Sequence, residues 1–548
     1  MALLVLHARL GLFVVDPRDV AWMQYSDWPN YLFGWSFYRW DSWRLPVGYF
    51  SNLLHPVGTS TGLTDSIPWL AVTFKMLDPW LPRSFQYFGA YLLLCFFLQG
   101  FVGFRIMMLL SRDRLHSMLS AAFLMVAPVL LDRIQHIALC SHWMILALIL
   151  CNVSSVGSPQ SSAVWRRKAT ALNLLAAATH PYLWAMTFVL SLPLFARPRR
   201  EESAYVRIAS SFVFWALLQI VLAAVAWWVF GYLMLGSAEE SGFADYGGGL
   251  SGFFNSAGKM AFTPQIRAVS PEAFDFTGLG ISLIAAILIA TSAKRWMFDS
   301  RGRGRKASGP WLPSSPLFPL FLTATALWLY SLARLAPLFS WLGPLTGTFR
   351  GSGRFSWPLY YCVVLFLLAR YRRAFPSRLA SAALLLLLEV QVWDLSPYWL
   401  PPPRTRRPIP QVGADPFWRG AGHAFRHLVI WPQGSGGKCG DDRFGARRTY
   451  AFLFLADDQR MTINVGATSR APLEKIQAAC EVTRLALSED RPEPETLYVL
   501  AAEVLSTEAL ASLREFSCHE IDAFQVCAAA PFDPRAVRLS SLRVWFPH

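Results

Sequence analysis

The chain has 548 residues, of which 54% are hydrophobic and 16% are charged, whereas a soluble domain carries roughly 25% charged residues. Its apolar residues stand in long blocks, which indicates a multi-spanning membrane protein rather than a soluble one. The net charge of +15 comes from short basic clusters between these blocks, where the positive-inside rule expects them, so it does not indicate nucleic-acid binding.

The N-terminal stretch 1–15, MALLVLHARLGLFVV, is apolar but interrupted by Arg9. It is shorter than the ~20 residues that a spanning helix needs. It also lacks the basic start and the cleavage site of a signal peptide. We therefore expect a first membrane helix here, one that would be longer if translation starts upstream. The Trp- and Pro-rich stretch 16–85 is predicted to be a long first external loop.

Further candidate membrane helices follow at 86–110, 117–132, 137–153, 169–196, 205–235, 275–297, 315–335, 355–370 and 378–395. The segment 169–196 has a basic cluster on each side and Thr179-His180-Pro181 at its middle. Because proline disfavours helix at the residue before it, we predict two half-length helices that enter and return, with His180 near the break.

This hairpin places the short Lys/Arg-rich loops together on the cytoplasmic side, and the loops 16–85, 236–274 and 336–354 outside. The chain tail then also falls outside. The predicted fold class is a mainly α membrane protein with about ten or eleven transmembrane helices, two of them half-length.

The tail differs in character from the membrane domain, 1–395. PPPRTRRP marks a linker over 396–412. Over 413–548, strand-like runs (HLVIW, YAFLFLA, TLYVL, FQVCAA) alternate with helix-like runs, which predicts a small exported α/β domain. Four cysteines lie in it: Cys439, Cys480, Cys518 and Cys527. They can form two disulfides in three pairings or remain free thiols, and their spacing is not that of a zinc site.

The first loop contains acidic residues that could act as a general base. Asp27 in SDWPNYLF and Asp65 in LTDSIPWL are the candidates, since an external carboxylate beside a membrane cavity could take the proton of an attacking hydroxyl. The alternative is a helix cap or an arginine pair, and Asp65 before Ser-x-Pro is typical of a helix start. Arg39 in the same loop is a candidate for substrate binding.

The first loop is also dense in aromatic residues. They form either an interfacial belt at headgroup level or a platform that stacks on sugar rings, and both can hold. The residues are Trp22, Tyr25, Trp28, Tyr31, Trp35, Phe37, Tyr38, Trp40 and Trp43.

Basic residues in three further segments are candidates for substrate binding. FRGSGRF places Arg350 and Arg354 in a Gly-rich external turn, where planar guanidinium groups suit phosphate oxygens. The alternative is a pair that snorkels to lipid headgroups. RIQHIALCSHW adds Arg133 and His136 at a helix entrance. GFADYGGGL carries Tyr246 in a segment that is either a lid or a plain loop.

Several stretches resemble a family of poorly characterised bacterial membrane proteins related to the GT-C superfamily, the glycosyltransferases that use polyprenyl-phosphate-linked sugars. The stretches are DWPNYLFGWSFYR, PVGTSTGLTDSIP, FQYFGAYLLLCFFLQG, HIALCSHWMIL, THPYLW, FRGSGRFSWPLYY and QVWDLSP. The resemblance implies a GT-C-like arrangement and an inverting glycosyltransferase in the bacterial inner membrane. Its tail would be periplasmic, and its partners would be membrane lipids, the lipid-linked sugar and an envelope acceptor.

The resemblance also implies roles for individual residues. Asp27 would be the base, although this segment lacks the second acid that the superfamily often has. Arg350 or Arg354 would stabilise the leaving phosphate, and His180 and Tyr246 would line the groove for the lipid. A monophosphate donor requires no cofactor, while superfamily members that use lipid pyrophosphates take a divalent metal.

Two other functions remain open from the sequence. One is a transporter or flippase of a lipid-linked glycan, because discontinuous helices also mark transporter sites. The other is a non-catalytic protein of envelope assembly, which would need neither Asp27 nor the arginine pair.

Overall fold

The computed structural model describes residues 1–156, 162–197, 205–235, 243, 245–268, 270–299, 315–399, 408–433, 444–466, 468, 470, 472–501 and 513–543. The chain divides into two compact units. We call them the membrane unit (Met1–Pro17, Tyr87–Ala226 and Ser237–Pro403) and the loop–tail unit (Arg18–Gln86, Trp227–Gly236 and Arg404–His548).

The membrane unit is helical. Its helices are α1 (Ala2–Leu10), α4 (Phe88–Ser111), α5 (Arg114–Met125), α6 (Pro128–Asp132), α7 (Trp143–Ser155), α8 (Ser162–Thr179), α9 (Pro181–Phe195), α10 (Tyr205–Val229), α11 (Leu279–Asp299), α12 (Phe318–Ser331), α13 (Ala336–Phe339), α14 (Gly343–Thr348), α15 (Trp357–Ala374), α16 (Arg378–Asp394) and α17 (Ser396–Trp399). α10 reaches into the loop–tail unit at its C-terminal end.

Five helical stretches in the described part of the chain are long and apolar enough to cross a membrane: Phe88–Ser111, Arg114–Gln135, Ile137–Ser155, Ala209–Val229 and Ser352–Ala374. Three shorter apolar helices cover Pro181–Phe195, Leu279–Lys294 and Phe318–Ser331. The mainly α membrane fold is thus confirmed, while the number of ten or eleven spans stays a prediction. The helix at the N-terminus is shorter than the predicted first membrane helix over 1–15. α1 has nine residues, because Gly11 with a φ of 94° ends it.

The predicted break at His180 is confirmed. α8 ends at Thr179, His180 has extended backbone, and Pro181 begins α9. Arg166 near the start of α8 donates to the carbonyl oxygens of Leu194 and Phe195 at 3.5 and 3.2 Å. The two helices therefore form an antiparallel hairpin, with 18 and 15 residues in its arms. Its entry into the membrane and return to the same side stay a prediction.

The tail region of the loop–tail unit is an α/β fold, as predicted. Its strands are β3 (His427–Trp431), β4 (Thr462–Ile463), β5 (Thr496–Leu500), β6 (Phe516–Ile521) and β7 (Phe524–Ala529), in the order β4-β3-β5-β7-β6. β3 is parallel to β4 and β5, and β7 is antiparallel to β5 and β6. Its helices are α18 (Phe417–Ala424), α19 (Gly445–Gln459), α20 (Leu473–Ser488) and α21 (Pro534–Arg543).

One predicted strand in this tail was wrong. The run YAFLFLA lies within α19, whose buried residues are Ala451, Phe452, Leu453 and Ala456. A short apolar run has the same appearance in a buried strand and in a buried helix face, so periodicity could not decide between them.

The first loop contributes α2 (Trp28–Trp40), α3 (Pro68–Met76) and a hairpin of β1 (Tyr49–Phe50) and β2 (Thr59–Ser60). α2 packs on α19, where the ring centroids of Phe33 and Phe454 are 4.9 Å apart and Trp40 Nε1 donates to Asp457 Oδ1 at 3.1 Å. His55 N also donates to the carbonyl oxygen of Ile463 in β4 at 2.8 Å. The first loop and the tail therefore share one core.

Burial in this core contradicts both predicted roles, interfacial belt and sugar-stacking platform, for most of the aromatic residues of the loop. The side chains of Trp22, Trp28, Tyr31, Trp35, Phe37 and Tyr38 are buried, so they neither form a lipid-facing belt nor offer a platform for sugars. Tyr25 and Trp43 are exposed. α2 is buried on nearly all sides, since nine of its 13 residues are buried, as is typical of a helix in a protein core.

Two of the four tail cysteines form a disulfide across the sheet. Cys518 in β6 and Cys527 in β7 are register partners with their Cα atoms 4.1 Å apart, and they are bonded. Cys480 is disulfide-bonded as well. Cys439 lies outside the described residues.

Candidate functional site

Glu272 is the centre of a charged cluster in the membrane unit. A short 3₁₀ turn, Pro271–Ala273, carries it. Its Oε2 accepts hydrogen bonds from Arg133 Nη1 at 2.8 Å and from Arg354 Nε at 2.6 Å. Its Oε1 lies 3.4 Å from His136 Nε2. We call Arg133, His136, Glu272 and Arg354 the arginine–glutamate cluster.

The cluster forms where two candidate membrane spans end. Arg133 lies two residues before the end of Arg114–Gln135, and Arg354 two residues after the start of Ser352–Ala374. Gly353 allows the second segment to approach, because a Cβ atom there would lie 2.6 Å from Ala273 Cα. The FRGSGRF turn thus packs directly against the segment of Glu272.

The electrostatics of the cluster favour an ionised Glu272. Burial raises the pKa of this carboxyl, but Arg354, His136 and Arg133 outweigh burial and hold the pKa well below its usual value. The side chain of Arg133 is only 2% exposed. Its Nη2 also donates to Asp132 Oδ2 at 3.1 Å and to the carbonyl oxygen of Pro271.

Asp132 extends the cluster on the far side of Arg133. Its Oδ1 accepts from Lys259 Nζ at 2.7 Å and from Tyr398 OH at 3.0 Å. Arg133, Arg354 and Lys259 thus share two carboxylates, Glu272 and Asp132. Arg350 lies in the same turn as Arg354. Guanidinium and ammonium groups gathered beside apolar helices suit a bound anion, above all a phosphate group.

The hairpin of α8 and α9 contacts the turn that carries Arg354 through Tyr182. His180 Nδ1 accepts from the backbone N–H of Tyr182 at 3.2 Å. The Tyr182 hydroxyl in turn accepts from Gly351 N at 2.7 Å, and Arg354 Cζ lies 4.7 Å from the Tyr182 ring centroid. The break in the helix therefore supports the arginine turn.

Tyr246 borders the turn from another side. Its carbonyl oxygen accepts from Gly353 N at 3.0 Å, and Arg350 Cζ lies 5.9 Å from its ring centroid. Contacts thus connect all six predicted substrate-binding residues of the membrane unit: Arg133, His136, His180, Tyr246, Arg350 and Arg354. Their role in substrate binding stays a prediction.

The other three predicted site residues belong to the loop–tail unit. Asp27 occupies the N-cap position of α2 and is partly exposed. Asp65 lies in a left-handed turn with a φ of 54°, and α3 begins only at Pro68. Arg39 binds the segment that follows α3. It pairs with Asp78 and donates to the carbonyl oxygens of Leu81 and Arg83 at 3.2 and 2.9 Å.

Glu272, Asp132 and Lys259 belong to the site but were not predicted from the sequence. The available signal was Asp132-Arg133, a charged pair at the edge of an apolar block. Glu272 and Lys259 lie in the long segment 236–274, where no sequence motif marks them. Among the described residues, no group of three or more His, Cys, Asp or Glu could hold a metal ion.

These features define a multi-pass membrane protein that carries a basic cluster at the ends of its spans and a small α/β domain. The model of the domain of unknown function DUF6311 matches residues 1–396, and that of the DUF6311 C-terminal domain matches residues 417–529. The chain belongs to the DUF6311 family. The expected membership of a poorly characterised membrane-protein family is thus confirmed. No curated protein matches the chain.

Solved structures of membrane glycosyltransferases are similar to this chain. Arabinofuranosyltransferase AftD from Mycobacteria is 14% identical with a TM-score of 0.48. The alignment covers 97% of this chain and 41% of AftD. The archaeal oligosaccharyltransferase AglB from Archaeoglobus fulgidus, in complex with an inhibitory peptide and a dolichol-phosphate, is 11% identical with a TM-score of 0.35, covering 97% of this chain and 74% of AglB. Both belong to the class that the sequence resembles.

Proposed function

We propose that this protein is an inverting membrane glycosyltransferase that moves a sugar from a polyprenyl-phosphate donor to an envelope glycan, lipid or protein. The observation that carries the proposal is the arginine–glutamate cluster. It brings two guanidinium groups together at the ends of two candidate spans. A lipid phosphate would place its charged group at the ends of the spans and its hydrocarbon chain among the apolar helices.

The basic residues act on the leaving group. Arg350 and Arg354 bind the phosphate oxygens, and Arg133 shares the Glu272 carboxylate with Arg354. As the bond from the anomeric carbon to the phosphate oxygen breaks, negative charge grows on the phosphate. Preorganised cations at that position stabilise the transition state more than the ground state. Glu272 holds the two arginines of the cluster in place rather than reacting.

The acceptor hydroxyl attacks the anomeric carbon from the face opposite the phosphate. A new carbon–oxygen bond forms, the bond to the phosphate breaks, and the configuration at carbon inverts. The hydroxyl proton passes to a carboxylate, for which Asp27 is the first candidate and Asp65 the second. Polyprenyl phosphate is then released into the membrane.

The proposal places this reaction on the outer face of a bacterial inner membrane. The support is the sequence pattern of short basic loops on one side and long loops on the other. On this orientation the α/β domain is periplasmic. The disulfide between Cys518 and Cys527 suits an oxidising compartment.

The test is sugar transfer by purified full-length protein in detergent, given a panel of polyprenyl-phosphate sugars. We expect turnover by the wild type and its loss in Asp27→Asn. The matched control is Asp533→Asn, which changes an exposed aspartate on the tail domain and should leave turnover intact. Turnover that survives in Asp27→Asn but not in Asp65→Asn would move the base to Asp65.

Folded protein that transfers no sugar from any donor would contradict the enzyme proposal. The lipid-linked glycan would then be tested as cargo, by measuring its translocation across reconstituted vesicles. Translocation without turnover would favour a flippase.

A further inference from the structure

The first loop has an exposed apolar surface that its buried core does not explain. Leu45 and Trp80 are 75% and 77% exposed, and Trp43, Met76 and Leu77 are exposed as well. We call these five residues the loop patch. Most other large side chains of the loop are buried, apart from Tyr25 before α2. The rest of the exposed apolar surface lies in the segment after α2 and around the C-terminal end of α3.

Contacts hold the two parts of the loop patch together. Lys75 in α3 has its Nζ 4.0 Å from the ring centroid of Tyr38 and 4.7 Å from that of Trp43. This cation–π contact fixes the segment after α2 on α3. Trp80 N donates to the carbonyl oxygen of Leu77 at 3.0 Å. These contacts place Trp43 beside α3, and Trp80 beside Leu77 just after the end of α3.

The end of a membrane span lies beside this surface within the same unit. Val229 is the last residue of the candidate span Ala209–Val229. Its carbonyl oxygen accepts from Gly48 N at 2.8 Å, and that of Phe230 accepts from Gly62 N at 3.2 Å. Gly48 follows Leu45 by three residues, at most roughly 11 Å of chain. Leu45 therefore lies close to the depth at which the span leaves the hydrocarbon.

The positive charge beside the loop patch also favours a lipid surface as its binding partner. Arg44 stands between Trp43 and Leu45, and Arg83 follows Trp80 by three residues. Both guanidinium groups are solvent-accessible, although Arg44 lies 3.5 Å from Asp41 and Arg83 pairs with Asp458. Exposed tryptophan and leucine flanked by arginine are typical of segments that lie in the interface of an anionic bilayer.

We propose that the loop patch inserts into the headgroup region of the bilayer that holds the chain, with Arg44 and Arg83 contacting the phosphates of anionic phospholipids. This contact anchors the loop–tail unit at the membrane surface. The proposal does not depend on the glycosyltransferase function.

The test is lipid photo-crosslinking of the full-length protein in nanodiscs. The nanodiscs contain phosphatidylcholine alone or with phosphatidylglycerol, together with a phospholipid probe that carries a diazirine near its glycerol. Crosslinked peptides are mapped by mass spectrometry. We expect peptides with residues 43–45 and 76–80 to be labelled several-fold more than the peptide of α20, whose exposed Leu473 and Leu485 serve as the apolar control.

The double variant Arg44→Gln/Arg83→Gln tests the charge component. Phosphatidylglycerol should increase labelling of the loop patch in the wild type and not in this variant, which keeps the apolar residues. Trp43→Ser/Trp80→Ser should lower labelling in both lipids, with hydrogen exchange of α2 as the check on folding. Labelling of the loop patch no higher than that of α20 would overturn the proposal. Equal labelling with and without phosphatidylglycerol would overturn the preference for anionic lipid.

Discussion

Glu272→Gln is the substitution that tests the arginine–glutamate cluster most severely, because it removes one charge and almost no volume. Arg133 is 2% exposed, so water cannot replace the lost carboxylate. Breaking one partner of a buried ion pair costs about 3–5 kcal/mol. Glu272 itself is 16% exposed, and Asp132 remains 3.1 Å from Arg133 Nη2. We therefore expect the lower end, about 3 kcal/mol.

The assay is thermal unfolding of the full-length protein in detergent, followed by intrinsic fluorescence. A loss of this size should lower Tm by roughly 2–3 °C in a chain of this length. The control is Glu481→Gln, which removes a carboxylate 2.5 Å from Arg484 in an exposed pair. Exposed pairs contribute little to stability, so Tm should not move measurably.

The pH dependence gives a second readout of the same substitution. Because the pKa of folded Glu272 lies below the ordinary value of 4.5, its contribution to stability is present above about pH 4.5 and is lost as pH falls further. The Tm difference between wild type and Glu272→Gln should persist at pH 7 and narrow in acid. A Tm for Glu272→Gln equal to that of Glu481→Gln at pH 7 would refute the reasoning.

Three further substitutions test other parts of the fold by the same Tm measurement. Burial raises the pKa of Asp275 to about 7. Ionisation therefore costs stability increasingly as pH rises from the ordinary value of 3.8 toward 7, and Asp275→Asn should raise Tm at pH 8 but not at pH 4. Phe33→Ala removes a buried ring 4.9 Å from Phe454 and should cost about 3–5 kcal/mol, whereas no loss would contradict the packing of the first loop on the tail. Cys518→Ser opens the disulfide to Cys527 and should cost about 2 kcal/mol, and an unchanged Tm would argue against a structural role for the bond.

Local signals in the sequence were enough to predict several features of the molecule. Pro181 after His180 predicted the hairpin break, because proline acts on its immediate neighbours. The runs HLVIW, TLYVL and FQVCAA are strands of the sheet. Arg133 and Arg354 were singled out as cations at the ends of apolar blocks, and the structure brings them to one carboxylate.

Features that depend on distant contacts could not be predicted. Phe33 is buried because α19, more than 400 residues later in the chain, covers it, and no local pattern in the first loop indicates that partner. Glu272 was missed because a single glutamate in a long loop has no periodicity. Its importance arises only from the two arginines that fold against it.

The central claim is that the arginine–glutamate cluster acts on the phosphate of a lipid-linked sugar during transfer. The most direct measurement is the rate of sugar transfer from radiolabelled polyprenyl-phosphate sugars by Arg354→Gln, with Arg484→Gln as the exposed control. The account predicts turnover in the wild type and in Arg484→Gln, and a loss of kcat of at least about 100-fold in Arg354→Gln. Equal kcat values in all three proteins would contradict it, and they would separate the activity from this cluster.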